Sequence, residues 1–265
     1  MTAPVPEAPA RRLRLDRDAF LAAWRHLRLG DRPPLLDVPD HGATLSARDA
    51  ADRAALAALH TRGLARTGAP GAPPVPIGDL ADALTALARP EVDVDLRCWD
   101  GPSATARHGH AAVSGQLAVV AEPDVDRGGL VLDLASRGVG AAGPGAVVRA
   151  LAAGLLARLP DEPALPGVPM TVPAAALFGD RPLHDLPPAL AHRLAALRAD
   201  PPRRQMQIGA ARYGGAGRHR VGPLTVVDTV AGRMVVEIVG HDAHVVPADR
   251  AGVAHELGRR CGTAT

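Results

Sequence analysis

Apolar residues recur along this chain at helical spacing in some stretches and at strand spacing in others, and the changes of rhythm mark the elements. Leu13 to Leu15 predicts a short strand, after which Asp16 or Asp18 caps a helix carrying Phe20, Trp24 and Leu27 to a stop at Gly30. A proline-rich crossing follows from Pro33 to Pro39. Ser46, with Asp49 three residues on, resembles a capping box and opens a helix through Leu56 and Leu59 to Gly63. Leu64 to Pro76 reads as a Gly/Pro linker, and Ile77, Leu80, Leu84 and Leu87 then mark a helix that Pro90 ends. Val92, Val94, Leu96 and Cys98 alternate with Asp93, Asp95 and Arg97, the period of a half-buried strand whose outer face holds the two aspartates.

Two further strands, about His110 to Ala121 and Leu130 to Leu134, precede an Ala-rich helix bearing Val147, Val148, Leu151 and Leu155. Beyond a boundary from Pro160 to Pro169 the order returns. It comprises a short strand at Met170 to Val172, a helix with Leu190, Leu194 and Leu197, a strand at Gln205 to Arg212, and a hairpin of Leu224 to Val230 with Arg233 to Val239. A strand at His244 to Val246 and a helix around Val253 to Leu257 close the chain. Leu80-Ala81, Leu84 and Ala86-Leu87 reappear at the same spacing as Leu190-Ala191, Leu194 and Ala196-Leu197, which suggests a two-fold internal repeat. Helices, then strands, then helices, without regular βαβ alternation, predict an α+β fold built on an antiparallel sheet. The expected layout is a disordered tail at 1–12 and a single domain at 13–261, with repeat halves at 13–159 and 168–261.

Composition narrows the functional classes. The 265 residues are 47% hydrophobic and 22% charged, with 28 Gly and 26 Pro clustered between the periodic segments, so the chain is expected to fold around a sizeable core. It has no lysine, which removes a phosphate-binding P-loop and Schiff-base chemistry. A net charge of +2 and short arginine clusters without interleaved aromatics give no footprint for nucleic acid. Pro and Arg at the start break any signal-peptide core, no apolar run is long enough to cross a bilayer, and two cysteines make no disulfide framework. A cytoplasmic location is expected.

Candidate chemistry is sparse. Gly138-Val139-Gly140-Ala141-Ala142-Gly143 matches GxGxxG, but Pro144 follows the last glycine and no second parallel strand supplies a ribose-binding acid. His108 and His110 would share a strand face, as a metal pair does, without an evident third ligand. Ser114 lacks the flanking pattern of a nucleophile elbow, and Cys98 sits where a core residue belongs. No catalytic constellation emerges, and no cofactor or metal is expected.

Arg203-Arg204-Gln205-Met206-Gln207-Ile208-Gly209, then Asp228-Thr229-Val230-Ala231-Gly232-Arg233, then Pro247-Ala248-Asp249, resemble the C-terminal half of the EspG family of type VII (ESX) secretion chaperones. Leu15, Phe20 and Trp24, with Leu29-Gly30, Pro34-Leu35, Arg62-Gly63-Leu64 and Asp95-Leu96-Arg97, follow the family's order in the first half. Met234 stands where members often carry an aromatic residue. The resemblance implies a central antiparallel sheet flanked by two helical bundles in pseudo-two-fold arrangement, and no catalytic residues. It also implies a cytosolic chaperone that binds the helical tip of a PPE-like protein, alone or as a PE–PPE pair, in a groove of the sheet and the C-terminal bundle. No small-molecule substrate, nucleic-acid partner or membrane insertion is implied. A non-secretory interaction module of the same fold, and a nucleotide-binding enzyme using the Gly138–Gly143 loop, remain alternatives.

If Ala231-Gly232 is a two-residue turn, Val230 pairs with Arg233, Asp228 with Val235, and Val226 with Glu237. That face mixes valines with charge and reads either as the partner surface or as the site of a cross-strand Asp228–Arg233 ion pair that stabilises the hairpin, whereas Thr225, Val227, Thr229, Met234, Val236 and Ile238 are the more apolar set and the candidate for the core. With the neighbouring strand, the candidate partner-binding residues are Gln205, Gln207, Asp228, Arg233, Val235 and Glu237.

Overall fold

The structure, a computed structural model, describes residues 11–263 apart from 37, 102–103, 125–127, 137–142, 180–181 and 215–216. The glycine run from Gly138 to Ala142 and residues 1–10 of the expected tail therefore lie outside the described residues. The chain opens with β1 (Arg11–Leu15), two residues earlier than expected. Arg12 joins the strand by a two-pronged ion pair with Asp133, at 2.6 and 2.9 Å. In α1 (Arg17–His26) the Asp16 carboxylate accepts from the Ala19 N–H at 2.7 Å, which satisfies one of the free donors of the first turn. Phe20 and Trp24 are buried with ring centroids 5.5 Å apart, and the indole N–H donates to the Gly30 carbonyl at 2.8 Å.

Helix α2 (Leu45–Thr61) is capped by Thr44 and not by Ser46. Thr44 has the extended backbone a cap requires, and its hydroxyl accepts from Ala47 N–H at 3.2 Å. The expected linker contains a small hairpin, β2 (Ala65–Arg66) with β3 (Val75–Pro76), too short to leave a sequence period. Next come α3 (Gly78–Ala88) and β4 (Val92–Trp99). The single strand expected at His110 to Ala121 is instead two, β5 (Arg107–Ser114) and β6 (Leu117–Asp124), paired antiparallel. Then follow β7 (Gly129–Ser136), α4 (Pro144–Leu156), β8 (Met170–Pro173), the five-residue α5 (Ala174–Phe178) and α6 (Pro188–Ala199). The chain ends with β9 (Arg204–Gly214), β10 (Gly217–Asp228), β11 (Arg233–Val239), β12 (Asp242–Pro247) and α7 (Arg250–Thr263).

The fold is α+β, with a large antiparallel sheet and seven helices among the described residues. The ten strands follow the order β1-β7-β6-β5-β4-β9-β10-β11-β12-β8. Contacts divide the chain into two compact units, one of residues 1–95, 108–142 and 211–219, the other of 96–107, 143–210 and 220–265. In the first, Leu13 and Leu15 of β1 and Leu130 and Leu132 of β7 form a core with Phe20 and Leu84. Asp93, expected on an outer face, is only 7% exposed in this unit, and the Tyr213 hydroxyl donates to its carboxylate at 2.8 Å. His110 is buried too, and burial pushes its pKa down.

In the second unit α4 and α7 cross at a pair of glycines. A Cβ on Gly145 would lie 2.5 Å from the Gly258 carbonyl oxygen, and a Cβ on Gly258 would collide with that of Gly145, so only glycines permit this approach. Val227, Met234 and Val236 of the hairpin form a separate core with Val245, Ala176 and Leu194.

Candidate functional site

The β10–β11 hairpin organises the site, and its loop differs from the expected two-residue turn. Asp228 pairs with Arg233, Val227 with Met234, Val226 with Val235 and Thr225 with Val236, so Thr229 to Gly232 form a four-residue loop. Gly232, at φ +138°, ends it, because a Cβ there would sit 2.8 Å from the Leu165 backbone nitrogen. The Thr229 hydroxyl donates to the Gly232 carbonyl at 3.1 Å, and Ala231 N–H donates to Asp200 at the end of α6, also at 3.1 Å. The register moves by two residues. Side chains therefore keep their faces, since strands alternate with period two.

Both faces are buried at their centre: Val227, Met234 and Val236 lie inside as expected, and most of the face expected outside lies inside as well. Asp228 and Arg233 are completely buried, and Val235 is 3% exposed. The Arg233 guanidinium forks onto both Asp228 oxygens at 2.6 and 2.9 Å and donates to the Pro160 carbonyl at 3.3 Å. Arg204 joins Asp228 at 3.0 Å and Asp100 at 2.6 Å, extending a chain of alternating charge from the buried pair out to the exposed Asp100. These residues tie the hairpin down, so three of the six expected partner-binding residues are interior. Glu237 is half-buried, with both carboxylate oxygens taken by Arg260 of α7 at 2.7 Å, a contact that holds its pKa below the usual carboxylate range. Gln205 and Gln207 are exposed.

On the other face Val227, Met234 and Val236 are buried in a core with residues of α5 and α6, and beside them, toward Ile238, a groove of about 740 Å³ remains open. Its floor includes Thr225, Met234, Val236 and Ile238, Leu177 and Phe178 of α5 with Leu197 of α6 line the helical side, and Gln205 and Glu237 border it. Phe178 is 65% exposed and Ile238 49% exposed, an unusual state for large apolar side chains set together. Sequence reasoning missed α5, since five residues are too few for a helical period; an aromatic in a chain with only five of them was the available signal.

A family model described as the EspG family matches residues 16–259. The chain belongs to the EspG family. No curated protein matches it. Among solved structures, this EspG-family chain resembles the type VII secretion system chaperone EspG5 of Mycobacterium tuberculosis, which was determined in complex with a PE25-PPE41 dimer. The TM-score is 0.62 at 14% identity, over 95% of each chain, a likeness of fold. Among the described residues of the EspG-family chain no group of three or more His, Cys, Asp or Glu side chains could hold a metal ion, and no helix is long and apolar enough to cross a membrane.

Proposed function

We propose that this EspG-family chain is a cytoplasmic, non-enzymatic specificity chaperone that receives a helical PPE-like client, as a PE–PPE pair, and keeps it soluble for type VII secretion. The observation that carries the reading is the open groove between α5, α6 and the β10–β11 face, where apolar side chains stay exposed in a fold shared with a chaperone solved on such a client. A helical tip that exposes apolar residues would bury them there and lose its tendency to aggregate, and the floor of sheet and wall of helix suit the recognition of helices by grooves. Among the expected contacts, Gln205 and Glu237 border the groove and remain in the proposal together with Gln207, whereas Asp228, Arg233 and Val235 act on the hairpin's integrity.

The test is co-expression of the full chain with a PE–PPE pair from its own host. The expected result is a soluble complex that persists through gel filtration, with the pair precipitating when expressed alone. Pairs that stay soluble without the chain and never co-elute with it would overturn the reading.

A further inference from the structure

We propose that the first unit holds a second site, a pocket between α1 and the first turn of α2 that takes a small oxyanion-bearing ligand, a phosphorylated or carboxylated metabolite. Its lining falls within residues 21–48, whereas the client groove is built in the second unit, so the two proposals stand or fall separately. The cavity has a volume of about 410 Å³, within the range of small-molecule pockets. Leu21 and Trp24 of α1 and Leu36 form its apolar side, and all three are buried. After α1 the chain folds back over them. Leu29 N–H donates to the Trp24 carbonyl at 3.3 Å, the Trp24 indole donates to the Gly30 carbonyl at 2.8 Å, and Gly30 turns at φ +81°. A Cβ on Gly42 would sit 2.6 Å from the Arg48 backbone nitrogen, so the segment after Asp40 lies directly on α2. The walls are thus set by contacts within the protein, and little ordering remains to be done when a ligand enters.

The charged lining is Arg25, Arg32 and Arg48 against Asp31 and Asp40, three positive groups to two negative. They are unequally engaged. Arg25 donates to Asp52 of α2 at 2.8 Å through Nε and reaches one Asp40 oxygen at 3.4 Å through Nη1. The same Asp40 oxygen lies 3.2 Å from Arg32 Nη1, close enough for an ion pair but without the alignment of a hydrogen bond, so that buried nitrogen keeps an unused donor. Arg48 is half-buried and its side chain has no partner among the described residues, with Nε buried and without an acceptor. Two buried guanidinium donors with nothing to donate to are costly, and both belong to the lining of one cavity. Asp31 does not answer them: it is exposed and unpaired, so water carries its charge. What the pocket lacks is an acceptor. A phosphate or carboxylate group supplies several charged acceptor oxygens at once, in the geometry that guanidinium donors match best, and the apolar side leaves room for the carbon skeleton that carries it.

The experiment is isothermal titration calorimetry of the full chain with inorganic phosphate, glycerol phosphate and citrate, and with glycerol as the uncharged control. At least one of the oxyanions is expected to bind with a Kd of about 1 mM or tighter, and its affinity to fall as salt rises from about 0.05 to 0.5 M. Tighter binding of the two phosphates marks a phosphorylated ligand, and tighter binding of citrate a carboxylated one. Arg48→Gln and Asp31→Asn probe the pocket without cutting any side-chain contact of the free protein, because neither side chain has a partner there. Arg48→Gln is expected to weaken the oxyanion by about tenfold, the worth of a hydrogen bond to a charged group. Asp31→Asn removes a like charge from the lining and is expected to tighten binding by about threefold, an effect that a purely structural role for Asp31 would not produce. Absence of binding by all three oxyanions, equal binding of glycerol, an affinity untouched by Arg48→Gln, or a weaker Asp31→Asn variant would overturn the proposal.

Discussion

Removing a carboxylate and a guanidinium from water costs several kcal/mol per ion unless geometry returns it, and at Asp228 and Arg233 it does so through two parallel hydrogen bonds and the support of Arg204. Asp228→Ala leaves the guanidinium buried beside a lost partner and is expected to lower stability by about 3–5 kcal/mol, measured by urea denaturation. Asp228→Leu combined with Arg233→Met removes both ions and is expected to recover most of that loss. The carboxylates nearer the surface set the acid limit. Hydrogen bonds from Arg259, and then Arg260, hold Glu256 down to about 2, and a bond from His41 holds Asp18 low. At Asp52 burial opposes ionisation, but the Arg25 and His41 bonds outweigh it. Groups whose folded pKa is depressed contribute stability above their ordinary pKa, about 4, and lose it as pH falls through the folded value. The melting temperature is therefore expected to be level from pH 7 to about 5 and to fall between about 4 and 2. Glu256→Gln should melt lower at neutral pH and show a shallower acid limb, which thermal scans across that range would record.

Short elements position the groove, and their supports lie in distant sequence. Helix α5 is too short to be stable alone and is held by Arg198 from α6. Asp200, the C-cap residue of α6, in turn fixes the hairpin loop at Ala231. On the other face, α4 and α7 approach through Gly145 and Gly258, where no side chain fits between the backbones. Gly258→Ala is expected to cost about 1–3 kcal/mol by forcing the helices apart. Gly262→Ala, whose new methyl would have its nearest neighbour at 3.8 Å, should be close to neutral. Equal losses at the two positions by denaturant titration would place the tight crossing elsewhere.

At the scale of the molecule, the units are interleaved in sequence. Helix α4 precedes the proline-rich boundary, yet its partner α7 is the last element, and both belong to the second unit. Residues 211–219, far along the chain, belong to the first. Fragments 1–162 and 163–265 are therefore expected to be unstable apart: the first carries α4 without α7, and the second lacks residues 96–107, which supply Asp100 to Arg204. Near-UV circular dichroism and limited proteolysis of each fragment would check this, with two cooperatively folded, protease-resistant pieces as the contrary result.

The sequence by itself determined the class of fold and most of its elements, because those depend on local periodicity and on caps such as Asp16 that act within one turn. Its collinear resemblance also led to the family that residues 16–259 match. The two faces of the β10–β11 hairpin were legible as well, since alternation survives a register shift of two. That both faces are buried at their centre was not legible: both carry valines, and their cover depends on where distant helices pack. Only the tertiary structure placed Glu237 against Arg260 of α7, buried Asp228 with Arg233, and left Met234, Val236 and Ile238 flooring a groove beside Phe178. Pattern along a strand says which residues travel together, and long-range packing decides which of them, such as Val230 and Ile238, meet water.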